Sequence, residues 1–138
     1  VYTQKKTSVI ALKKVPSNLL PNLGVVDARK ISSKIYEISN MVEKPKIVDA
    51  PSDLAIIGRY ILPYEIFEIL EKTNAGINGE IQLTDSMDAL ATDQGILAWL
   101  FGGRRYDIGT MKDWFQAHIQ LSFESEFSEH LEEVIAKL

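Results

Sequence analysis

The chain has 138 residues, of which 46% are hydrophobic, 25% charged and 9% aromatic, and its net charge is −4. This composition is typical of a globular domain and excludes disordered and collagen-like chains, and no apolar run approaches the roughly 18 residues of a membrane helix. The lack of cysteine excludes disulfides and thiolate metal sites, and the acidic balance gives no overall attraction for nucleic acid or an anionic membrane. We therefore expect a cytoplasmic protein without a nucleic-acid or membrane partner.

The first part of the sequence predicts four β-strands. Residues 7–12 are an apolar, β-branched run between lysines, and residues 24–31 and 34–42 follow a loop rich in Pro and Asn. The third strand ends at Pro45, which has no amide proton for a strand ladder. Residues 54–62 are almost continuously apolar, which predicts a strand covered on both faces.

Two helices are predicted to follow this strand. Pro63 opens the first helix, and the polar residues 73–76 end it. The second helix is predicted over residues 81–93, where Leu83, Met87 and Leu90 have the spacing of one helix face.

The last third of the chain predicts a hairpin followed by helices. Residues 96–101 read as a buried strand, Gly102 and Gly103 as a two-residue turn, and residues 104–108 as the return strand. From residue 110 the sequence is mostly helical. The apolar residues of the final amphipathic helix are spaced by three or four: Phe123, Phe127, Leu131, Ile135 and Leu138.

The alternation of strands and helices predicts an α/β layer architecture. Helices would pack on the faces of a largely buried sheet, with one antiparallel hairpin near its end. The usual catalytic motifs are missing, since the sequence has neither a dinucleotide-binding nor a Walker-type glycine loop. His118 and His130 have no second ligand at metal-binding spacing, so we expect no metal at either.

Two candidate sites lie at strand termini of the predicted sheet. Glu43 and Lys44 put an acid and a base at the end of a strand, where ligands of open α/β sheets bind, although a solvated strand end is the plainer explanation. Gly24 opens a strand and either permits close approach to a ligand or simply serves a turn.

Two further polar clusters have both a functional and a plain structural interpretation. Thr84 and Asp85 stand at a predicted helix start, where they favour the helix dipole or merely cap the helix. Asp107 suits a hard divalent cation that also binds phosphate oxygens, or it forms a surface ion pair with Arg104 or Arg105.

Taken together, six segments resemble one family, the bacterial UTP–glucose-1-phosphate uridylyltransferases, over their C-terminal half. A lone Glu-Lys-Pro is a weak signal, but six segments in the same order are a strong one, and the resemblance extends over roughly residues 7–121. One departure is Leu23, where the family usually has Tyr. The segments are residues 8–12, 23–26, 41–45, 55–62, 79–85 and 105–109.

The resemblance implies both a fold and a reaction. The fold is part of a Rossmann-like nucleotide-diphospho-sugar transferase, an α/β fold with a mixed sheet and helices on its faces. The reaction joins UTP and glucose 1-phosphate to give UDP-glucose and pyrophosphate, with Mg²⁺ as the cofactor. The complete enzyme would therefore bind glucose 1-phosphate and UTP.

The family pattern also implies roles for single residues. Lys44 would be the catalytic cation on the attacking phosphate, and Glu43 would bind sugar hydroxyls. Gly24 would let the backbone approach the sugar ring. Tyr60 and Glu80 would be weaker sugar-side contacts.

In related sugar-phosphate nucleotidyltransferases, the position of Asp107 lies beside the metal. The resemblance therefore implies that Asp107 contacts Mg²⁺, either directly or through water.

The family's N-terminal half has no counterpart in this sequence, which begins with Val. We interpret residues 1–138 as the sugar-phosphate side of a single nucleotidyltransferase domain and expect it to be inactive alone. We also expect a homo-oligomer, with the helices of residues 111–138 as a subunit contact. Two alternatives stay open: a stand-alone module that binds sugar phosphate or another subunit, and a thymidylyl-type sugar-phosphate nucleotidyltransferase.

Overall fold

A computed structural model describes residues 7–76 and 79–137 and has a mixed α/β fold. The chain divides into two compact units, Val1–Gly102 and Gly103–Leu138. The strands of the first unit are β1 (Ser8–Lys14), β2 (Gly24–Lys30), β3 (Ile35–Glu43), β4 (Leu54–Ile61) and β5 (Ile96–Leu100). The α-helices are α1 (Ile66–Lys72) and α2 (Leu83–Gln94) in the first unit, and α3 (Met111–Phe123) and α4 (Ser128–Ile135) in the second.

The five strands form one sheet that closes into a small barrel, in the order β1-β4-β2-β3-β5. Strand β5 closes the barrel because it pairs in parallel with β1 on one side and antiparallel with β3 on the other. The remaining pairs are antiparallel. The α/β class and the mixed sheet are thus confirmed, while the closed form of the sheet was not expected from the sequence.

Strands β2 and β3 form a hairpin that sets the geometry of the functional region. The connection of residues 31–34 is closed by a hydrogen bond from the Ile31 amide to the Ile35 carbonyl, at 2.8 Å. At the far end of the hairpin, the register pairs Gly24 with Glu43. A glycine at the start of one strand therefore faces a carboxylate at the end of the other.

The hydrophobic core lies between the sheet and helix α2. Met87 and Leu90 of α2 are fully buried, as the predicted helix face requires, and Leu83 packs against the same cluster. The sheet contributes mainly aliphatic side chains to this cluster: Ile10, Leu12, Val26, Ile38, Met41, Leu54, Ile56, Ile96 and Ala98.

The prediction that β4 is covered on both faces is wrong for its second half. Leu54, Ala55 and Ile56 are buried, but Tyr60 and Ile61 are 41% and 47% exposed. The backbone of this half still pairs with β1, since Val9 lies opposite Ile61. In this half the backbone stays paired while the residues on both faces of the strand are exposed.

The predicted hairpin at Gly102 and Gly103 is also wrong. Residues 104–108 form no strand and instead run as irregular chain before α3. The physical reason is that both edges of β5 are already paired, with β1 and with β3, so no edge remains for a return strand.

The apolar stripe predicted as one final helix is divided between two helices. Helix α3 ends at Phe123, and the Ser125 hydroxyl donates a hydrogen bond to the Ser122 carbonyl at 2.8 Å. The Phe127 amide in turn donates to the Ser125 hydroxyl at 3.2 Å, and α4 begins at the next residue. This serine turn interrupts the helix, and Leu138 lies outside the described residues.

Within the described part of the chain, no helix has the length and apolar character needed to cross a membrane.

Replacing Leu12 tests the importance of this core for stability. Leu12 is fully buried, so Leu12→Ala should lower the free energy of unfolding by about 2–5 kcal/mol, because it leaves a cavity among core side chains. Urea unfolding followed by circular dichroism measures this change. The control Val48→Ala, at a side chain that is 88% exposed, should have almost no effect. Equal losses from the two substitutions would contradict the described core.

Candidate functional site

Glu43 and Lys44 lie where β3 leaves the sheet. The Lys44 amide donates a hydrogen bond to the Leu23 carbonyl at 3.0 Å, which fixes the chain directly beside the start of β2. Lys44 has φ 47°, a left-handed conformation that few residues other than glycine adopt. The buried Pro45 follows and restricts the backbone further.

The Glu43 carboxylate is held by a buried hydroxyl. Thr84, in the first turn of α2, donates from Oγ1 to Glu43 Oε2 at 2.5 Å, and Thr84 is 7% exposed. The sequence suggested helix capping for Thr84, but the N-cap of α2 is Gln82, without a side-chain cap bond. The sequence does not predict this contact between Thr84 and Glu43. The feature that could have indicated it is a hydroxyl one helical turn before the buried Met87.

Lys44 stays close to Glu43 without a direct hydrogen bond. Lys44 Nζ lies 3.9 Å from Glu43 Oε1, so the two charges attract at a distance too long for hydrogen bonding. The Lys44 side chain is 37% exposed and that of Glu43 only 14%. The ammonium group is thus accessible to a ligand while the carboxylate sits deeper.

Gly24 makes room for the Glu43 and Thr84 side chains. A Cβ at position 24 would lie 3.0 Å from Glu43 Oε2 and 3.1 Å from Thr84 Oγ1, closer than side chains normally pack. The structure therefore gives Gly24 a role in packing these side chains. The predicted approach of a sugar to its backbone stays a prediction.

Tyr60, in the exposed half of β4, lies within the electrostatic influence of Glu43. Partial burial raises the pKa of the Tyr60 phenol above its ordinary value of 10.0, and the negative charge of Glu43 raises this pKa further. The structure thus brings together Gly24, Glu43, Lys44 and Tyr60, four of the residues predicted from the sequence.

An open apolar groove of roughly 560 Å³ begins at Tyr60. It is lined by the end of β4, by the connection between β4 and α1, by α1 and by the first residue of α2. Tyr64 and Phe67 pack against each other in the groove with ring centroids 5.5 Å apart. The lining residues are Tyr60, Leu62, Pro63, Tyr64, Ile66, Phe67, Leu70 and Leu83.

Glu80 lies in the exposed loop before α2. Its backbone carbonyl accepts from the Gly76 amide at 2.8 Å, and its carboxylate accepts from Gln82 Nε2 at 3.3 Å. These contacts stabilise the loop itself. The sugar-side role predicted for Glu80 stays a prediction.

Asp107 belongs to the second unit and forms an ion pair there. Its Oδ2 accepts a hydrogen bond from the Arg105 guanidinium at 2.6 Å, and its side chain is 57% exposed. Of the two interpretations of Asp107, the structure contains the surface ion pair, and the partner is Arg105. The neighbouring Arg104 pairs with Glu124 and donates to the Tyr106 hydroxyl at 3.2 Å.

The residues that the structure describes contain no cluster of three or more metal-binding side chains. A single exposed carboxylate such as Asp107 nevertheless fits Mg²⁺, because this ion keeps several waters and often takes one or two carboxylates together with substrate phosphates. In this structure, Asp107 offers one carboxylate to such an ion, and that carboxylate already forms an ion pair with Arg105.

The comparisons with known proteins agree on one group of enzymes, although no protein-family model matches the chain. It is 42% identical over 117 residues to the UTP–glucose-1-phosphate uridylyltransferase of Pseudomonas aeruginosa, covering 85% of this chain and 42% of that protein. It is 41% identical to the enzyme of the same name from Streptococcus pyogenes, covering 99% of this chain and 46% of that protein.

A solved structure supports the same relationship. The crystal structure of a UDP-glucose pyrophosphorylase complexed with UDP-glucose matches with a TM-score of 0.86 at 40% identity, covering 90% of this chain and 47% of that one. The chain thus spans a little under half the length of the relatives that it matches. The resemblance carried by the six sequence segments is confirmed.

Replacing Gly24 tests the close packing around Glu43. Gly24→Ala should lower the free energy of unfolding by about 1–3 kcal/mol, since its Cβ would press on the Glu43 carboxylate and the Thr84 hydroxyl. Thermal or urea unfolding measures the loss. At Gly102, a Cβ would meet open space, so Gly102→Ala is the matched control and should change stability little. A neutral Gly24→Ala would contradict this packing.

A titration tests the proximity of Tyr60 and Glu43. Glu43→Gln should lower the raised pKa of Tyr60, because it removes a negative charge that disfavours the phenolate. The ultraviolet absorbance of the phenolate, compared with that of a Tyr60→Phe variant, isolates this group. Glu37→Gln, in the same strand, should leave the Tyr60 pKa unchanged, and an equal shift in both variants would refute the assignment.

The same pKa shift fixes the sign of a stability change at high pH. Because the folded state keeps the Tyr60 proton to higher pH than the unfolded chain, the free energy of unfolding should fall as the pH rises above 10.0. This alkaline loss should be smaller in Tyr60→Phe. An identical pH dependence in the two proteins would contradict the shift.

Proposed function

We propose that this chain belongs to the UTP–glucose-1-phosphate uridylyltransferase family and forms the sugar-phosphate side of the family's active site. In a complete protein, this site joins UTP and glucose 1-phosphate to give UDP-glucose and pyrophosphate. The observation that carries the proposal is the arrangement of Glu43 and Lys44, in which an anchored carboxylate lies beside an accessible ammonium group. The complete domain would have the Rossmann-like nucleotide-diphospho-sugar transferase fold.

Glu43 is suited to bind the sugar. A carboxylate accepts directed hydrogen bonds from the hydroxyl groups of a diol. Thr84 occupies one position on Glu43 Oε2, which leaves Oε1 directed toward Lys44 and available to a ligand. The carboxylate therefore has a defined orientation before any sugar binds.

Lys44 is suited to bind the phosphate of the same substrate. Its ammonium group is a compact positive charge, and its exposure lets a phosphate approach from solvent. Since Glu43 and Lys44 are consecutive residues, one short segment would contact both the sugar and the phosphate of glucose 1-phosphate.

The attack of glucose 1-phosphate on UTP requires positioned reactants and positive charge rather than a general base. A phosphate monoester has a second pKa of about 6, so it is largely a dianion at neutral pH and is already nucleophilic. Its oxygen forms a bond to the α-phosphorus of UTP, while the bond between the α-phosphorus and the bridging oxygen breaks and pyrophosphate leaves. Lys44 would reduce the repulsion between the two anionic reactants and hold the attacking oxygen in line.

We assign the metal contact to Asp107. When bound, Mg²⁺ supplies positive charge to the phosphate oxygens of the substrates. Asp107 would offer one carboxylate to the ion, directly or through water, and Arg105 orients this carboxylate.

Gly24, Tyr60 and Glu80 complete the proposed sugar side. The lack of a Cβ at Gly24 would let the sugar ring approach the backbone, and the Tyr60 ring would form a wall beside Glu43. Glu80 would contact the sugar from the loop before α2. The uridylyl name shared by the relatives favours UTP over a thymidine nucleotide.

The 138 residues alone should not catalyse the reaction, because the nucleotide-binding half of the family's site has no counterpart in them. We place the complete protein in the cytoplasm, as expected from the sequence. We also propose that it forms a homo-oligomer through the helices of residues 111–138. In the second unit, the side chains of Phe127 and Ile135 are 61% and 51% exposed, which leaves apolar surface for such a contact.

Replacing Lys44 tests the catalytic assignment. In a protein of the relatives' full length that carries this chain, Lys44→Ala should slow UDP-glucose formation roughly 100-fold, because it removes a charge that acts on the attacking phosphate. A coupled assay for pyrophosphate measures the rate. Lys72→Ala, at an exposed lysine on α1, should retain the parent rate. Unchanged turnover in a folded Lys44→Ala protein would refute the role of Lys44.

Light scattering tests the proposed oligomer. The same full-length protein should have a mass of at least twice its chain mass across a range of concentrations. Phe127→Asp should shift this mass toward the monomer, since it places a charge on the apolar helix surface. A concentration-independent monomer would contradict the proposal.

A further inference from the structure

Thr84 combines burial, a short hydrogen bond and contact with the sugar-side carboxylate. We propose that Thr84 is a positioning residue that determines which oxygen of Glu43 meets the sugar. This inference rests on the proposed function and extends it to a residue outside the set predicted from the sequence.

The direction of the hydrogen bond follows from the chemistry of its two groups. An ionised carboxylate can only accept, so the Thr84 hydroxyl must donate its proton to Glu43 Oε2. At 2.5 Å, the bond has the short length of a hydrogen bond to a charged acceptor. Because Thr84 is 7% exposed, water competes little for its hydroxyl.

The donor is carried by a helix that is fixed at several points. The Met41 amide of β3 donates to Asp88 Oδ1 of α2 at 2.7 Å, so a second bond joins the same strand and helix. The hydroxyls of Ser86, fully buried on α2, and of Thr73, half-buried directly after α1, also lie within hydrogen-bond distance, at 2.8 Å. Thr84 therefore presents its hydroxyl from a rigid element, which favours a single orientation of Glu43.

The two oxygens of Glu43 consequently have different tasks. Oε2 accepts the Thr84 hydrogen bond and lies only 3.0 Å from the position that a Cβ at residue 24 would occupy, so the glycine leaves room for it. Oε1 faces Lys44 Nζ at 3.9 Å. A sugar hydroxyl bound by Oε1 would lie next to the ammonium group that holds the phosphate of the same molecule.

Loss of the Thr84 hydroxyl should weaken the recognition of glucose 1-phosphate specifically. In a full-length protein that carries this chain, Thr84→Val keeps the branched shape but removes the donor. It should raise the KM for glucose 1-phosphate about tenfold, the change that ~1.4 kcal/mol produces. The KM for UTP should stay within about twofold, since the nucleotide does not contact Glu43 in this account.

Two variants separate positioning from general stability. Thr84→Ser retains the hydroxyl and should restore most of the affinity for glucose 1-phosphate. Thr92→Val makes the same replacement at an exposed hydroxyl of the same helix, so it should leave the KM for glucose 1-phosphate unchanged. A parent-like KM in Thr84→Val, or the same increase in Thr92→Val, would overturn the positioning role.

The outcome also distinguishes this inference from the proposed function. If the unmodified full-length protein forms no UDP-glucose, the proposed function fails, and calorimetric titration with glucose 1-phosphate then decides the role of Thr84. Weaker binding to Thr84→Val than to the parent supports the role. Equal binding, or no binding to either protein, overturns it.

Discussion

The antiparallel pairing of β2 and β3 determines the geometry of the candidate site. Its register places Gly24 opposite Glu43, and the Lys44 amide continues the contact by bonding to the Leu23 carbonyl. A shift of one residue would turn the Glu43 side chain to the other face of the sheet and away from Thr84. The hairpin therefore fixes both the position of the carboxylate and the space available to it.

Helix α2 supplies the hydroxyl that binds the Glu43 carboxylate. Its apolar face, with Met87 and Leu90, is anchored in the core, and this packing carries the Thr84 hydroxyl to Glu43. The same helix therefore contributes to stability through its buried face and to the site through its first turn. Substitutions in this core would reach the site indirectly, since they move the donor that orients the carboxylate.

The sequence predicted the elements better than their arrangement. Strand and helix patterns located β1 to β5 and both helices of the first unit, because alternation and helical spacing are local signals. Barrel closure is a long-range property, and it leaves no free edge of β5 for the return strand expected at residues 104–108. The break between α3 and α4 depends on hydrogen bonds of the Ser125 hydroxyl, which apolar spacing does not reveal.

In the candidate site, too, the sequence indicates single residues but not the long-range contacts between them. A strand end and a resemblance to a family both indicated Glu43 and Lys44, and the structure adds how Thr84 and Gly24 surround the Glu43 carboxylate. Thr84 was visible only as a helix-start residue, because its contact with Glu43 joins positions 41 residues apart. Asp107 lies in the second unit, where its contact with Arg105 is local.

The central claim is that the Glu43–Lys44 segment binds a sugar phosphate. An NMR titration of the 138-residue chain with glucose 1-phosphate tests it most directly, because each backbone amide reports separately on the ligand. We expect the amide signals of Gly24, Glu43, Lys44 and Thr84 to shift together, and Lys44→Ala to abolish these shifts. Unchanged signals at these four positions under millimolar ligand, or shifts confined to other residues, would show that this segment does not bind the sugar phosphate.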